Sequence, residues 1–155
     1  MSANAEFIVL TREMSAAQIS ELLGFPADRS YSEGDPGMSM TTGLEVGRKR
    51  KTRWALSSEA RVTSSELEDH LRVLLEITLP RADIIRNLAK TSNVFFWVFW
   101  DSDSLDRGDG PILSSEICSG IGALVLTCNL MSIARLTTKT ASSIGEKIVE
   151  IACCA

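Results

Sequence analysis

The stretch Val94-Phe95-Phe96-Trp97-Val98-Phe99-Trp100 is the most apolar segment of the chain, and it decides the fold. Successive residues of a strand point to opposite sides, so this segment places large apolar groups on both faces. A strand of this composition belongs inside a sheet, where both of its faces are covered. The sequence therefore predicts a central strand over residues 94–100, with the other elements arranged around it.

A short strand and a well-marked helix open the chain. Residues Phe7 to Leu10 form an apolar run that is typical of a strand. Ser15 and Gln18 have the spacing of a capping box at a helix start, and Gly24, close before a proline, marks the helix end. Residues 28–47 are rich in Gly, Ser, Asp and Pro, and this composition predicts a long loop.

A second strand and two helices precede the central strand. Trp54 and Leu56 alternate with smaller or polar residues, which predicts a strand with both side chains on its inner face. A helix follows from a capping box at residues 63–66 or 65–68. Its apolar stripe consists of Leu67, Leu71, Leu74, Leu75 and Thr78. Pro80 then fits the first turn of a further short helix.

Three more elements follow the acidic loop at residues 101–111. A helix from Ser114 to Gly122 and a strand over residues 124–131 complete a second strand–helix–strand unit. A final helix from about Ser143 to Ala152 would place Ile144, Ile148 and Ile151 on one face. The predicted fold class is α+β, with a single sheet of about four strands in βαβ-αα-βαβ order. This order fits a ferredoxin-like or related two-layer arrangement with an extra C-terminal helix.

Length and composition indicate a globular protein of ordinary domain size. The 155 residues fit one domain, 1–155, and 45% of them are apolar against 23% charged. The start of the chain lacks the pattern of a signal peptide, and no stretch is long and apolar enough for a membrane helix. Its four cysteines have no zinc-site spacing, which favours reduced thiols. We expect a cytoplasmic protein that has no membrane segment.

The charge distribution argues against a general nucleic-acid binder. The net charge is −4, yet five of the sixteen basic residues lie in one run at residues 48–53. Without that run, eleven basic residues would stand against twenty acidic ones, a balance of −9. Such a surface repels phosphate backbones, so we do not expect nucleic acid as a partner unless the run acts alone with Trp54 as a stacking group. The alternative is an exposed strand edge whose cations find internal partners.

Several weak motifs, in order, resemble a known family. They are Ile19-Ser20-Glu21-Leu22-Leu23-Gly24-Phe25-Pro26, Gly34-Asp35, Trp54-Ala55-Leu56-Ser57-Ser58 and Leu67-Glu68-Asp69-His70-Leu71. Together they resemble the bacterial domain-of-unknown-function family 4279 from about residue 6 to about residue 131. The resemblance brings no reaction, cofactor or catalytic residue with it. It leaves a C-terminal extension, about 132–155, outside the family-like region.

The residue pattern contains no assembled catalytic or metal site. His70, the single histidine, is expected on a helix flank, as a partner of Glu66 rather than as a catalytic base. The acidic loop begins like a calcium loop, but Leu105, Asp106 and Ile112 stand where ligands or the required glycine should be. We therefore expect no metal and no cofactor.

Two function hypotheses from different classes remain. The first is a non-enzymatic protein-binding module, immunity-like or regulatory, which meets its partner or a second copy of itself through the aromatic strand or the C-terminal helix. The alternative is a small-molecule binder or undetected enzyme with a pocket between loops 28–47 and 101–110. The candidate ligand or partner residues are Arg29, Tyr31, Asp35, Trp54 and Asp101.

Overall fold

A computed structural model describes residues 2–39, 41–102, 111–124, 127–134 and 146–151, which form eight strands and four helices. The strands are β1 (Ser2–Thr11), β2 (Arg29–Tyr31), β3 (Pro36–Met38), β4 (Glu45–Arg48), β5 (Thr52–Ser57), β6 (Asn93–Ser102), β7 (Thr127–Ala134) and β8 (Glu146–Ile151). The helices are α1 (Ala16–Leu23), α2 (Leu67–Thr78), α3 (Ala82–Leu88) and α4 (Ser115–Ala123). A 3-10 turn, Leu79–Arg81, joins α2 to α3 and holds Pro80 in its first turn.

The fold is α+β, as predicted, with a larger sheet than expected. Six strands pair in the order β2-β5-β1-β6-β7-β8, and β3 and β4 form a separate hairpin. The four predicted strands are the central four, and β2 and β8 extend them at the two ends. β1 runs antiparallel to β5 and β6, whereas β6 and β7 are parallel and directly paired. In a ferredoxin-like sheet another strand lies between the two parallel strands of each βαβ unit. Here β6 and β7 are direct neighbours, so the fold is the related two-layer arrangement.

Local signals explain where α1 begins and ends. Ser15 accepts the backbone N–H of Gln18, and the Gln18 side chain accepts the backbone N–H of Ser15, which is the predicted capping box. Gly24 ends the helix at φ +82°, a left-handed conformation that glycine adopts without a Cβ clash. For α2, neither predicted box forms: the helix begins at Leu67, and the preceding Glu66 makes no side-chain cap.

The main core lies between one face of the sheet and the helices. Phe7, Trp54 and Phe96 project to this face from three adjacent strands, with ring centroids 6.2 Å apart for Phe7–Trp54 and 5.5 Å for Phe7–Phe96. The helices supply the buried side chains Ile19, Leu23, Leu67, Leu71, Leu74, Leu75, Ile85, Leu88, Ile117 and Ile121. None of the helices in the described ranges is long and apolar enough to span a bilayer.

The opposite face of the sheet, called the outer face below, carries alternate residues of the same strands. Ile8, Ala55 and Phe95 form a second buried cluster there, with Leu10 and Trp97 packed against it. Every member comes from a strand, so within the described residues the helices pack on the other face. The central strand is therefore apolar on both faces, as the sequence predicts.

The predicted C-terminal helix is wrong, because residues 146–151 form strand β8. β8 pairs antiparallel with β7 over six residue pairs, from Cys128 with Ile151 to Ile133 with Glu146. Its sequence contains three β-branched residues, which favour extended backbone. An isolated ten-residue helix is marginal in water, whereas an edge of β7 offers a ladder of hydrogen bonds. The rest of the predicted helix lies outside the described residues.

Two predicted loops are also partly ordered as strands. Residues 28–47 contain β2, β3 and most of β4, because a turn that includes Gly43 at φ +66° folds the segment into a hairpin. Likewise, Asp101 and Ser102 belong to β6, which is longer than its apolar stretch alone suggests. The remainder of the acidic loop, residues 103–110, lies outside the described part of the chain.

Candidate functional site

Glu6 of β1 lies at the centre of an ion cluster on the outer face. It is 7% exposed, and its carboxylate accepts hydrogen bonds from Arg29 Nη1 at 3.3 Å and from Arg53 Nη2 at 2.5 Å. Arg29 also bridges Glu59 through Nη2 at 2.7 Å. Strand pairing creates this arrangement, because β2, β5 and β1 are neighbours and place the three charged positions on one face. We call Glu6, Arg29, Arg53 and Glu59 the Glu6 cluster.

A shallow depression of about 250 Å³ lies beside the Glu6 cluster. Its lining consists of Asn4, Ala5, Glu6, Arg29, Trp97 and Phe99. The two aromatic rings supply apolar surface, and the Arg29 side chain, which is 59% exposed, supplies a charged donor. Both carboxylate oxygens of Glu6 already accept guanidinium hydrogens. The depression can therefore recognise a ligand, but Glu6 is not available there as a general base.

The predicted site residues do not converge on one pocket. Arg29 lines the depression, whereas Tyr31 lies at the end of β2 with Lys49 Nζ 4.5 Å from its ring centroid. Asp35 closes a turn by accepting the backbone N–H of Ser32 at 2.6 Å. Asp101 belongs to β6, and its side chain lies outside the described residues. Of these four residues, the depression contains Arg29 alone.

Trp54 is a core residue, and the prediction that its ring could stack on a ligand is wrong. The side chain is fully buried, and its Nε1–H donates to Ser20 Oγ at 2.9 Å. Its ring also packs against Phe25, with centroids 5.7 Å apart. The alternation that identified the strand correctly put Trp54 on its inner face, and that face is the one covered by the helices.

Part of the basic run is occupied by contacts within the molecule. Arg48 donates to the carbonyl of Gly34 at 2.8 Å, Lys49 lies over Tyr31, and Arg53 pairs with Glu6. Arg50 and Lys51 are exposed. Three of the five cations of the basic run therefore have partners within the molecule, as the second of the two sequence-based interpretations expects.

Ser58 and His70 form a buried hydrogen-bonded pair. Ser58 Oγ lies 2.8 Å from His70 Nδ1, and His70 Nε2 lies 2.8 Å from the carbonyl oxygen of Ser64. Because a carbonyl only accepts, Nε2 carries a hydrogen and donates it to the Ser64 carbonyl. Ser58 is 0% exposed and His70 is 2% exposed. No substrate reaches this hydroxyl, so the pair is structural, and His70 has partners other than the predicted Glu66.

Asp28 anchors the segment between α1 and β2. Its side chain accepts the Ser57 backbone N–H at 2.7 Å and Arg61 Nη1 at 2.6 Å. Burial alone would raise the pKa of this carboxyl, but the hydrogen bonds from Arg61 and Ser57 and the charges of Arg61 and Arg29 hold the pKa below its ordinary value. The Asp28 carboxylate therefore stays ionised at neutral pH and fixes the start of β2 against the end of β5.

Glu68 holds α4 against α2. Its carboxylate accepts the backbone N–H of Ser114, the residue that caps α4. Hydrogen bonds from the backbone and side chain of Ser114 lower the pKa of Glu68, and the charge of Arg72 acts in the same direction. The contact fixes where α4 begins after the acidic loop.

The β3–β4 hairpin carries three exposed apolar residues close together. Met38, Leu44 and Val46 are 56%, 67% and 69% exposed. Six large apolar side chains are exposed in the described residues, and these three lie within nine positions of one another. We call Met38, Leu44 and Val46 the hairpin surface. Groups of exposed apolar side chains are common where proteins contact other molecules.

Sequence reasoning missed the hairpin surface and the Glu6 cluster for different reasons. The hairpin has a turn signal, Thr42-Gly43, between short apolar segments, but the surrounding Gly, Ser and Pro residues make the whole segment resemble a loop. Glu6 precedes an apolar strand and has no sequence neighbour of opposite charge. Its partners come from positions 29 and 53, so only the strand pairing reveals the cluster.

Comparison with known proteins places the chain in a family. No curated protein and no solved structure matches it. A family model described as a domain of unknown function, DUF4279, matches residues 1–131, which include the Glu6 cluster, the hairpin surface, all four helices and the first half of β7. The match confirms the resemblance seen in the motifs and ends where the C-terminal extension was predicted. The chain belongs to the DUF4279 family.

Proposed function

We propose that this chain is a non-enzymatic module that binds a protein partner in the bacterial cytoplasm, in an immunity-like or regulatory role. The hairpin surface carries the proposal. Three side chains that could each contribute about 1.5–3 kcal/mol on burial are instead exposed on one hairpin. A second protein that covers them would gain that free energy, and nothing in the fold of the described residues requires them to be apolar.

The hairpin surface is a better contact site than the aromatic strand. Phe95 is 6% exposed, and Trp97 and Phe99 are half-buried, so these three rings expose a smaller fraction of their surface than Met38, Leu44 and Val46 do. The hairpin forms its own two-stranded sheet, which leaves it accessible to a partner. We therefore place the partner on the hairpin, and self-association through the aromatic strand is the competing arrangement.

An enzyme or a small-molecule binder is the weaker alternative. The buried Ser58–His70 pair is closed to substrates, and the Glu6 carboxylate is held by two guanidinium groups. One observation favours a small-molecule binder: Arg29, Trp97 and Phe99 meet in one depression beside the Glu6 cluster. Its volume of about 250 Å³ is below the roughly 300–1,000 Å³ of most ligand pockets. A small ligand there remains the second candidate function.

Quantitative co-purification from the source cells tests the proposal. A triple variant, Met38→Ser, Leu44→Ser and Val46→Ser, removes the hairpin surface. A matched variant makes the same change at exposed apolar residues elsewhere, namely Leu22, Leu79 and Ile112. We expect at least one protein to be retained by the wild type and the matched variant and lost at least tenfold from the hairpin variant. Equal retention by all three, at unchanged melting temperatures, would refute the hairpin as the binding site.

A further inference from the structure

A depression of about 430 Å³ lies at the end of the sheet where β1 stops and β5 and β6 begin. Its lining consists of Leu10, Thr11, Arg12, Glu13, Lys51, Thr91 and Asn93. Its volume falls within the range of small-molecule sites. It is separate from the depression at the Glu6 cluster and from the hairpin surface, because it shares no lining residue with either.

Two cations meet at this depression because of the strand register. Thr11 and Thr52 are the last paired residues of β1 and β5, and Arg12 and Lys51 follow immediately beyond them. Two like charges that line one depression repel each other. Both residues are exposed, and neither has a carboxylate within 4 Å in the described part of the chain. An anion between them would turn this repulsion into attraction.

The other polar groups of the lining suit an oxyanion. Thr91 supplies a hydroxyl, and Asn93 supplies an amide, so each can donate a hydrogen bond to an oxygen. Glu13 is the one acidic residue in the lining, so the formal charge there is +1. The backbone N–H of Glu13 donates to Thr11 Oγ1 at 3.1 Å, which fixes the turn that follows Arg12.

From this arrangement we propose that the depression binds the phosphate group of a small molecule. Arg12 and Lys51 bind the phosphate oxygens, Thr91 and Asn93 donate to them, and Glu13 weakens binding through its like charge. A nucleic-acid strand does not fit this assignment, because of the five cations at residues 48–53 the depression contains Lys51 alone. The site is independent of the protein partner proposed above.

Nuclear magnetic resonance titration with inorganic phosphate tests the assignment, with sodium chloride and sodium acetate as references at equal ionic strength. We expect saturable shifts of the amides of residues 11–13, 51, 91 and 93, with a Kd on the order of 1 mM for so small an ion. Shifts that are equal in acetate or chloride, or that spread evenly over the surface, would overturn the proposal.

Charge variants give the second arm of the test. The double variant Arg12→Gln with Lys51→Gln should weaken phosphate binding at least tenfold, whereas Arg50→Gln, in the same run but outside the depression, should change it less than twofold. Glu13→Gln should tighten binding by about two- to threefold, because a like charge is removed. Without phosphate, the double variant should melt at the same or a higher temperature. Loss of binding in Arg50→Gln, or unchanged binding in the double variant, would contradict the site.

Discussion

At the scale of single residues, Ser58 joins three parts of the chain through one hydroxyl. Its Oγ accepts the backbone N–H of Ala5 at 2.9 Å, lies 2.8 Å from His70 Nδ1, and lies 2.9 Å from the Asn4 side-chain amide. The hydroxyl donates its one hydrogen to Asn4 Oδ1, and its lone pairs accept the Ala5 N–H. The buried hydroxyl of Ser58 therefore has partners for its hydrogen and for its lone pairs.

Replacing Ser58 with alanine should therefore be costly. The change leaves the Ala5 N–H and His70 Nδ1 buried without a partner, and we expect the free energy of unfolding to fall by about 1–3 kcal/mol. Urea denaturation measures this loss. Ser119→Ala, at an exposed position of α4, is the matched control and should change stability by less than about 0.5 kcal/mol. A Ser58 variant as stable as the control would mean that the network contributes nothing.

Asp28 gives the fold an acid-sensitive contact. Its pKa is lowered in the folded protein, so the folded state binds fewer protons than the unfolded state near the ordinary pKa of an aspartate. Its stabilisation is fully present above that pKa and is lost as the pH falls through the folded value. The Asp28→Asn variant should accordingly lose stability at pH 7 and show a flatter decline between pH 5 and pH 3.

Chemical denaturation over this pH range measures the difference. Ser119→Ala, which removes no ionisable group, is the control and should retain the wild-type pH profile. If the free energy of unfolding of the Asp28→Asn variant fell with pH as steeply as that of the wild type, the contact with Arg61 and Ser57 would not cause the loss of stability in acid.

At the scale of elements, α4 packs on α2 through a glycine. A Cβ added at Gly120 would lie 2.9 Å from Leu75 Cδ1, whereas at Gly122 it would meet nothing within 4 Å. Leu75 is itself buried at 4% exposure, so its side chain has little room to move. The close approach of the two helices therefore depends on the missing side chain at Gly120.

Two alanine variants separate packing from helix propensity. Gly122→Ala should stabilise the protein by up to about 1 kcal/mol, because alanine favours helix over glycine. Gly120→Ala gains the same propensity but crowds Leu75, so it should be less stable than Gly122→Ala by about 1–3 kcal/mol. Thermal unfolding of the two variants side by side measures this difference. Equal melting temperatures would show that α2 and α4 can move apart without a loss of stability.

Elements were predictable wherever local chemistry determined them. Ser15, Gln18 and Gly24 contain all the information that bounds α1, and the alternation at Trp54 identifies β5. The end of the chain was different, because its isoleucines fit a helix face and a strand equally well. The segment forms a strand because it pairs with β7, and the local sequence does not reveal this contact with another segment.

At the scale of the whole molecule, the sheet is built around β6 and extended by short strands at both ends. Strand order determines the candidate sites, since Glu6 meets Arg29 and Arg53 through the pairing of β1, β5 and β2. The sequence indicated the two-layer class and the central strand from hydrophobic pattern alone. It could not indicate the Glu6 cluster or the Arg12–Lys51 depression, because both depend on register between distant segments.

Removal of β8 should expose an edge of β7. Deleting residues 146–155 takes away the partner of β7 over six residue pairs. An open edge of this kind loses hydrogen bonds and promotes pairing between molecules. We expect a lower melting temperature and concentration-dependent association, measured by calorimetry and size-exclusion chromatography. A truncated chain that is monomeric and equally stable would show that β8 contributes nothing to the sheet.

Site-specific photo-crosslinking at Val46 tests the central claim, that the hairpin surface contacts a different protein. A photoreactive phenylalanine replaces Val46, and a control chain carries it at Glu76 on the exposed side of α2. On irradiation in the source cells, we predict one discrete adduct with a second, different protein from position 46 and none from position 76. The claim is contradicted if position 46 gives no adduct beyond the control, or an adduct of two copies of this chain.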